Sequence, residues 1–182
     1  MIAAGTPAVY VSDSRFAENG DGIINNAGNL FGNRVTLENN LGDGILSEAL
    51  GGSTISTALS DSVSTGNGGA GFAAEALAPG TTVHASAIRL TSARNAVSGF
   101  EVETFSGVAT LVISDSTAVE NASFGALASG SVTAIVSGST LARNGSADLA
   151  NFGAVMRTSL NNTLTGRGAA DVSGTLTTNS LK

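Results

Sequence analysis

The side chains of this chain that could do chemistry are carboxylates and guanidiniums set at long, similar intervals. Asp13, Arg34, Asp61, Arg89 and Asp115 follow one another at spacings of 21, 27, 28 and 26 and alternate in sign. A second series, Glu18, Arg94, Glu120 and Arg143, alternates through its last three members. Wound into a repeat, such series become columns of attracting neighbours, an ionic ladder that fixes register. Glu48, Glu75 and Glu103 break the pattern, because they are like charges at similar spacings, with Glu101 just before the last. Stacked carboxylates must splay, take up protons or share a cation. Paired carboxylates are also what glycoside hydrolysis uses, one as acid and one as base or nucleophile. Asp21 and Asp43, in two successive Gly-Asp-Gly turns, form a further pair of candidate cation ligands. Turn chemistry accounts for them equally well. The candidate metal residues are therefore Glu48, Glu75, Glu103, Asp21 and Asp43, with calcium the ion their oxygens suit. No catalytic set and no organic cofactor is expected.

Composition removes other chemistries. The net charge is −6 and seven of the eight basic residues are Arg, without a clustered basic face for nucleic acid. There is no Cys for thiolate catalysis or zinc, and one His, His84, so no multi-His site. Gly66–Gly71 (GNGGAG) lacks the Lys-Ser/Thr of a phosphate loop and reads as a turn. No apolar run is long enough to span a bilayer. Met1–Ala8 lack the features of a signal peptide. With no Trp and one Tyr, Tyr10, a sugar-stacking row is poorly furnished. Phe16, Phe31, Phe72 and Phe100 are expected inside, and Phe105, Phe124 and Phe152 are candidates for exposure. The sequons at Asn121, Asn144 and Asn161 read as coincidence, the first two because they fall on positions expected to be buried.

What positions the charged residues is a repeat. Asn19, Asn40, Asn67, Asn95, Asn121 and Asn144 return at these same long spacings, between a strand-like run and a glycine followed by an apolar residue. The apolar positions Ile23, Ile45, Phe72, Phe100, Ala126, Leu149 and Val172 are spaced by 22, 27, 28, 26, 23 and 23. In the seventh copy Arg167 replaces the Asn, as suits a terminal repeat. The runs between turns are short, β-branched and alternating, Val132–Val136 for example, which favours strand over helix. The consistent solution is an all-β parallel solenoid of about seven coils, stacked at about 4.8 Å. Its Asn ladder sits in a tight turn that tolerates the left-handed conformation, each side-chain amide bonding the next. The expected organisation is a partial coil or cap over residues 1–8, repeats over 9–172 and a closing strand or cap over 173–182.

Three-stranded coils with this repeat length, an Asn at one turn and a following Gly-Ile or Gly-Phe resemble the right-handed parallel β-helix of the pectin-lyase-like superfamily. The closing segment, Asn162–Gly166 with Ala170–Thr177, is similar to the ends of bacterial β-helix-repeat proteins. The resemblance covers Val9 to Thr177 and speaks for fold more than function. It implies a secreted or cell-surface protein. It also implies that Asp61, Arg89 and Asp115 share the composition of a lyase site, calcium-binding carboxylates beside a proton-abstracting base, although alternation sets those carboxylates two coils apart.

Two functions remain, a non-catalytic scaffold or surface interaction module and a carbohydrate-active enzyme, a polysaccharide lyase or hydrolase. The expected partners are a second copy, through the solenoid ends or the apolar column Ile24, Leu46, Ala73 and Leu127, and a polysaccharide. Nucleic acid and membrane insertion are not expected.

Overall fold

Alternating side chains in the short runs divide each strand between interior and solvent. Thr54–Ser60 turns Ile55, Thr57 and Leu59 inward, and Val108–Ser114 does the same with Ala109, Leu111 and Ile113. The computed structural model describes residues 8–166 and 171–179, and there the chain is a parallel β-solenoid of about six turns without helix. Residues 1–7 of the expected leading cap, Arg167, and residues 180–182 of the expected closing cap lie outside the described residues.

Each turn has three sides. One is a seven-stranded sheet built from Ile23–Asn25, Ile45–Ala49, Phe72–Ala76, Ser98–Thr104, Phe124–Ser129, Ala147–Phe152 and Val172–Ser173. Ile23, Ile45, Phe72, Phe100, Ala126, Leu149 and Val172 are consecutive in-register partners across it, so the repeat spacing read from the sequence is the stacking register. Seven aligned strands enclose six full turns, hence the difference from the seven coils expected by counting copies.

The other two sides belong to one thirteen-stranded sheet. A first arm carries Thr54–Ser60, Thr82–Ile88, Val108–Ser114, Val132–Ser137, Val155–Ser159 and Thr177–Asn179. A second arm carries Val63–Thr65, Thr91–Ala93, Thr117–Val119, Thr140–Ala142 and Thr163–Thr165. The long strand Asn29–Glu38 joins them, its first half pairing with Thr54–Ser60 and its second with Val63–Thr65. Ala8–Ala17 lies along its whole length.

The core is narrow and continuous. Phe72, Phe100, Leu37, Ile45, Ile55, Leu59, Leu111 and Ile113 are at most 1% exposed, and burying each such side chain is worth about 1.5–3 kcal/mol. Phe31 departs from expectation by pointing outward, where it stacks on Tyr10 at 5.1 Å. Its neighbour Gly32 holds the inward position, and the space that a side chain there would fill is taken by Leu59 of the next coil. Phe16 is half-buried against the core.

Candidate functional site

In the six coils from Asp13 to Arg143, two of the three corners are each made by a single residue in the left-handed conformation, and the charge columns fall on these positions. Asp13, Arg34, Asp61, Arg89 and Asp115 have φ between 49° and 53°, and Gly138 continues the column at 59°. Glu18, Arg94, Glu120 and Arg143 have φ between 53° and 60°, with Asn39 and Gly66 filling the same column. All ten non-glycine residues with positive φ among the described residues lie in these two columns. The ladder asparagines are not among them. The left-handed residue is the one before each ladder Asn, so Asn is selected there for its amide and not for its backbone tolerance.

Within the first column the alternation resolves into couples. Arg34 Nε and Nη2 donate to the Asp13 carboxylate at 2.6 and 2.7 Å, and Arg89 donates to Asp61 in the same bidentate way at the same distances. The guanidinium bonds hold both carboxyls below their usual range. Asp115 neighbours Gly138 and has no ion pair among the described residues. In the second column Arg143 donates to Glu120 at 3.0 and 3.2 Å, with Arg94 4.0 Å from the other oxygen. Asp61 and Arg89 therefore meet as an exposed couple at a corner, without Asp115.

The residue after the left-handed corner is polar in every coil at one corner and in some coils, though not at Val35 or Leu90, at the other. At one corner it is the ladder Asn. Asn67 donates its backbone and side-chain N–H to Asn95 Oδ1 at 3.0 Å, Asn95 does the same to Asn121 at 3.1 and 3.0 Å, and Asn121 to Asn144 at 3.1 and 2.9 Å. In these Asn–Asn bonds the acceptor is always the Asn of the following coil, while Nδ2 also donates back to a carbonyl of the preceding coil, as Asn67 does to Leu37 O and Asn121 to Ser92 O. At the other corner Ser62, Ser116 and Ser139 accept the backbone N–H of Val35, Leu90 and Ser116 at 3.0, 3.2 and 3.1 Å, and Asn162 accepts that of Ser139 at 2.8 Å.

The ladder explains a glycine column. Gly22, Gly44, Gly71, Gly99 and Gly125 precede the aligned apolar residue, and a Cβ on any of them would come within 2.7–2.9 Å of the Nδ2 of Asn40, Asn67, Asn95, Asn121 or Asn144, respectively. Each glycine makes room for the Asn of the following coil. The sixth member is Asp148, whose following coil carries Arg167 instead of Asn. Asp148 is fully buried and its Oδ1 accepts from Asn144 Nδ2 at 2.8 Å, so a carboxylate ends the run of donors. Burial raises its pKa against the bonds from Asn144.

The remaining carboxylates gather on the outer face of the seven-stranded sheet. Glu48, Glu75 and Glu103 are direct strand partners, one per coil. Glu101 occupies the neighbouring outward column, in register with Ala73 and Leu127, so it interrupts the apolar column Ile24, Leu46, Ala73 and Leu127. Burial, reinforced by Asp43, Glu48 and Glu103, pushes Glu75 up to about 7. Burial and then Glu103 push Glu101 up to about 7, with Ser98 opposing. Asp43 is raised by burial as well. Asp21 Oδ1 accepts the N–H of Asp43 at 2.7 Å and Asp43 Oδ1 that of Ala70 at 2.6 Å, so these two turns tie consecutive coils through the backbone. Among the described residues no group of three or more His, Asp and Glu side chains is placed to hold a metal ion.

Other singled-out residues take plain places. His84 is exposed in a shallow cleft of about 220 Å³ with Ser56, Ser86, Thr110 and Val112. Asn121 and Asn144 are 1% and 0% exposed, closed to a glycan in the folded chain. Phe105 is 81% exposed, while Phe124 and Phe152 meet edge to face at 5.8 Å. No helix among the described residues is long and apolar enough to cross a membrane. Compared with protein-family models, with curated proteins and with solved structures, the chain matches none.

Proposed function

We propose that the chain is a non-catalytic β-solenoid, a scaffold that presents its outer faces to a partner. One observation carries this reading. The strained backbone positions and ion pairs that could signal a reactive centre recur at the same two corners in coil after coil, whereas strain serving catalysis gathers at one place. Asp61 and Arg89, the couple that a lyase site would need free, bind each other. On this reading the solenoid belongs with the right-handed, pectin-lyase-like β-helices by fold alone. Its natural setting is outside the cell, and contact with a second copy through an end of the solenoid is part of its role.

A second reading is a carbohydrate-active enzyme using the face of Glu75, Glu101 and Glu103. It is favoured by the two carboxyls raised to about 7, the property of a general acid beside ionised neighbours. Incubation with neutral and uronate-containing polysaccharides separates the two. The scaffold reading expects no reducing ends or unsaturated products above a heat-denatured control. Product release that disappears in Glu75→Gln and Glu101→Gln would replace it with the second.

A further inference from the structure

The outer face of the seven-stranded sheet has a charge distribution unlike the rest of the molecule. Residues 41–53, 68–81, 96–107 and 122–131 form its strands and bordering turns over four coils and contain no Lys, Arg or His. The described arginines all lie on the other sides or corners, Arg15 and Arg157 on strands and Arg34, Arg89, Arg94 and Arg143 at the left-handed positions. The groups facing Glu75 are thus all acidic: Asp43 from the preceding turn, Glu48 from Ile45–Ala49, and Glu101 and Glu103 from Ser98–Thr104. The next strand, Phe124–Ser129, adds only Leu127 and Ser129 beside Glu101 and Glu103.

Packing sharpens the conflict. Ala73 is 1% exposed between Leu46 and Glu101, so the wall beside these carboxyls is dry. Glu101 Oε2 is buried without a hydrogen-bond partner among the described residues, and the hydroxyl of fully buried Ser98 near it favours the ionised form without overcoming the burial. An ionised oxygen so placed bears its full desolvation cost, and a proton on it removes most of that cost. Strand register fixes the stacking of Glu48, Glu75 and Glu103 at the backbone, because a slip would turn every core side chain outward, so only side-chain rotation can part their carboxylates.

We propose that this face is a proton-operated latch: Glu75 and Glu101 take up protons in mild acid and draw the coils between Ile45 and Thr104 together, and they release them toward alkaline pH, loosening the same coils. The proposal is independent of whether the chain is a scaffold or an enzyme. The sign follows from linkage. A carboxyl whose folded pKa lies above its unfolded value of 4.5 contributes stability that is fully present below 4.5 and is lost as pH rises through about 7. Asp13 and Asp61 act oppositely, losing their contribution as pH falls through their lowered folded values. Together they place the optimum in acid, near pH 4, between the unfolded values of 3.8 for the aspartates and 4.5 for the glutamates.

Carboxyl carbon NMR of Glu-labelled protein and thermal melts from pH 4.5 to 8.5 test this. Two of the seven Glu residues should titrate near pH 7 as a coupled pair. The folding equilibrium constant should fall at least about tenfold between pH 5 and 8, after allowing for solvent screening of these half-exposed groups. Glu75→Gln and Glu101→Gln should each flatten that fall and raise the midpoint at pH 8, while Glu18→Gln should leave both unchanged. Titration of all seven glutamates between about 4 and 5, or a midpoint that rises from pH 5 to 8, overturns the proposal. The NMR titration needs only the unmodified chain, so it decides even if a variant fails to fold.

Discussion

Replacing Asn95 by Ala tests whether the ladder holds the coils together. Asn95 is 1% exposed and lies in the middle of the run. Its Oδ1 accepts from the backbone N and from Nδ2 of Asn67, both at 3.0 Å. Its Nδ2 donates to Ser92 Oγ and Asn121 Oδ1, also at 3.0 Å. Alanine leaves the Asn67 backbone N–H buried without an acceptor, at about 1–3 kcal/mol, and removes further side-chain bonds worth about 1 kcal/mol each. The sum is about 3–5 kcal/mol, or on the order of 10 °C in melting midpoint for a chain of this size. Asn19, at the exposed N-terminal end, gives only one side-chain bond, to Asn40 Oδ1 at 3.4 Å, and its backbone bond survives substitution. Asn19→Ala should therefore cost less than about 1 kcal/mol. Thermal and urea melts of the two variants side by side measure the contrast. Equal, small losses would refute the reasoning, because they would mean that the amides are replaceable by water.

Gly71→Ala should also destabilise by several kcal/mol, although the backbone at Gly71 is not left-handed. The added Cβ would strike Ser92 Oγ and approach Asn95 Nδ2 and Gly99 O at 2.8 Å; a melt indistinguishable from the parent would refute the interlock between glycine and the following Asn. Asp148→Asn keeps an Oδ1 acceptor for Asn144 and abolishes a buried charge. Since burial raises the Asp148 pKa, its ionisation costs stability as pH rises, so the variant should melt higher than the parent at pH 8 and approach it in acid; a lower midpoint at pH 8 would contradict this.

The fold was legible because a solenoid writes its register directly into spacing. The aligned apolar residues from Ile23 to Val172 became strand partners without a slip, and the alternating charges became neighbours. What the spacing hid was conformation. Asp13 and Arg89 read as an ionic ladder on a surface, and nothing in their identity announces a left-handed corner, a position where glycine or asparagine is the usual occupant. The backbone tolerance assigned to the ladder Asn belongs to the residue before it. Phe31 was misplaced because large apolar residues default to the interior, whereas Gly32 and the reach of Leu59 decide which side faces in. The glycine column was readable in principle, since Gly22 to Gly125 each precede a coil with an Asn and Asp148 precedes one with Arg167. The stack of Glu48, Glu75 and Glu103 was visible in the sequence. Its desolvation was not, because the dry wall around Ala73 and the inclusion of Glu101 depend on packing across three coils.

The claim on which the whole account rests is that one polar, buried ladder runs the length of the solenoid in the register of the repeat. Hydrogen exchange of the Asn side-chain amides, followed by NMR with each ladder position assigned, tests it most directly. The Nδ2 protons of Asn67, Asn95, Asn121 and Asn144 should exchange as slowly as the core strand amides around Leu111 and Ile113, and those of Asn19 should exchange quickly. Fast exchange at all of these positions, with the core amides still protected, would contradict the ladder and the register built on it.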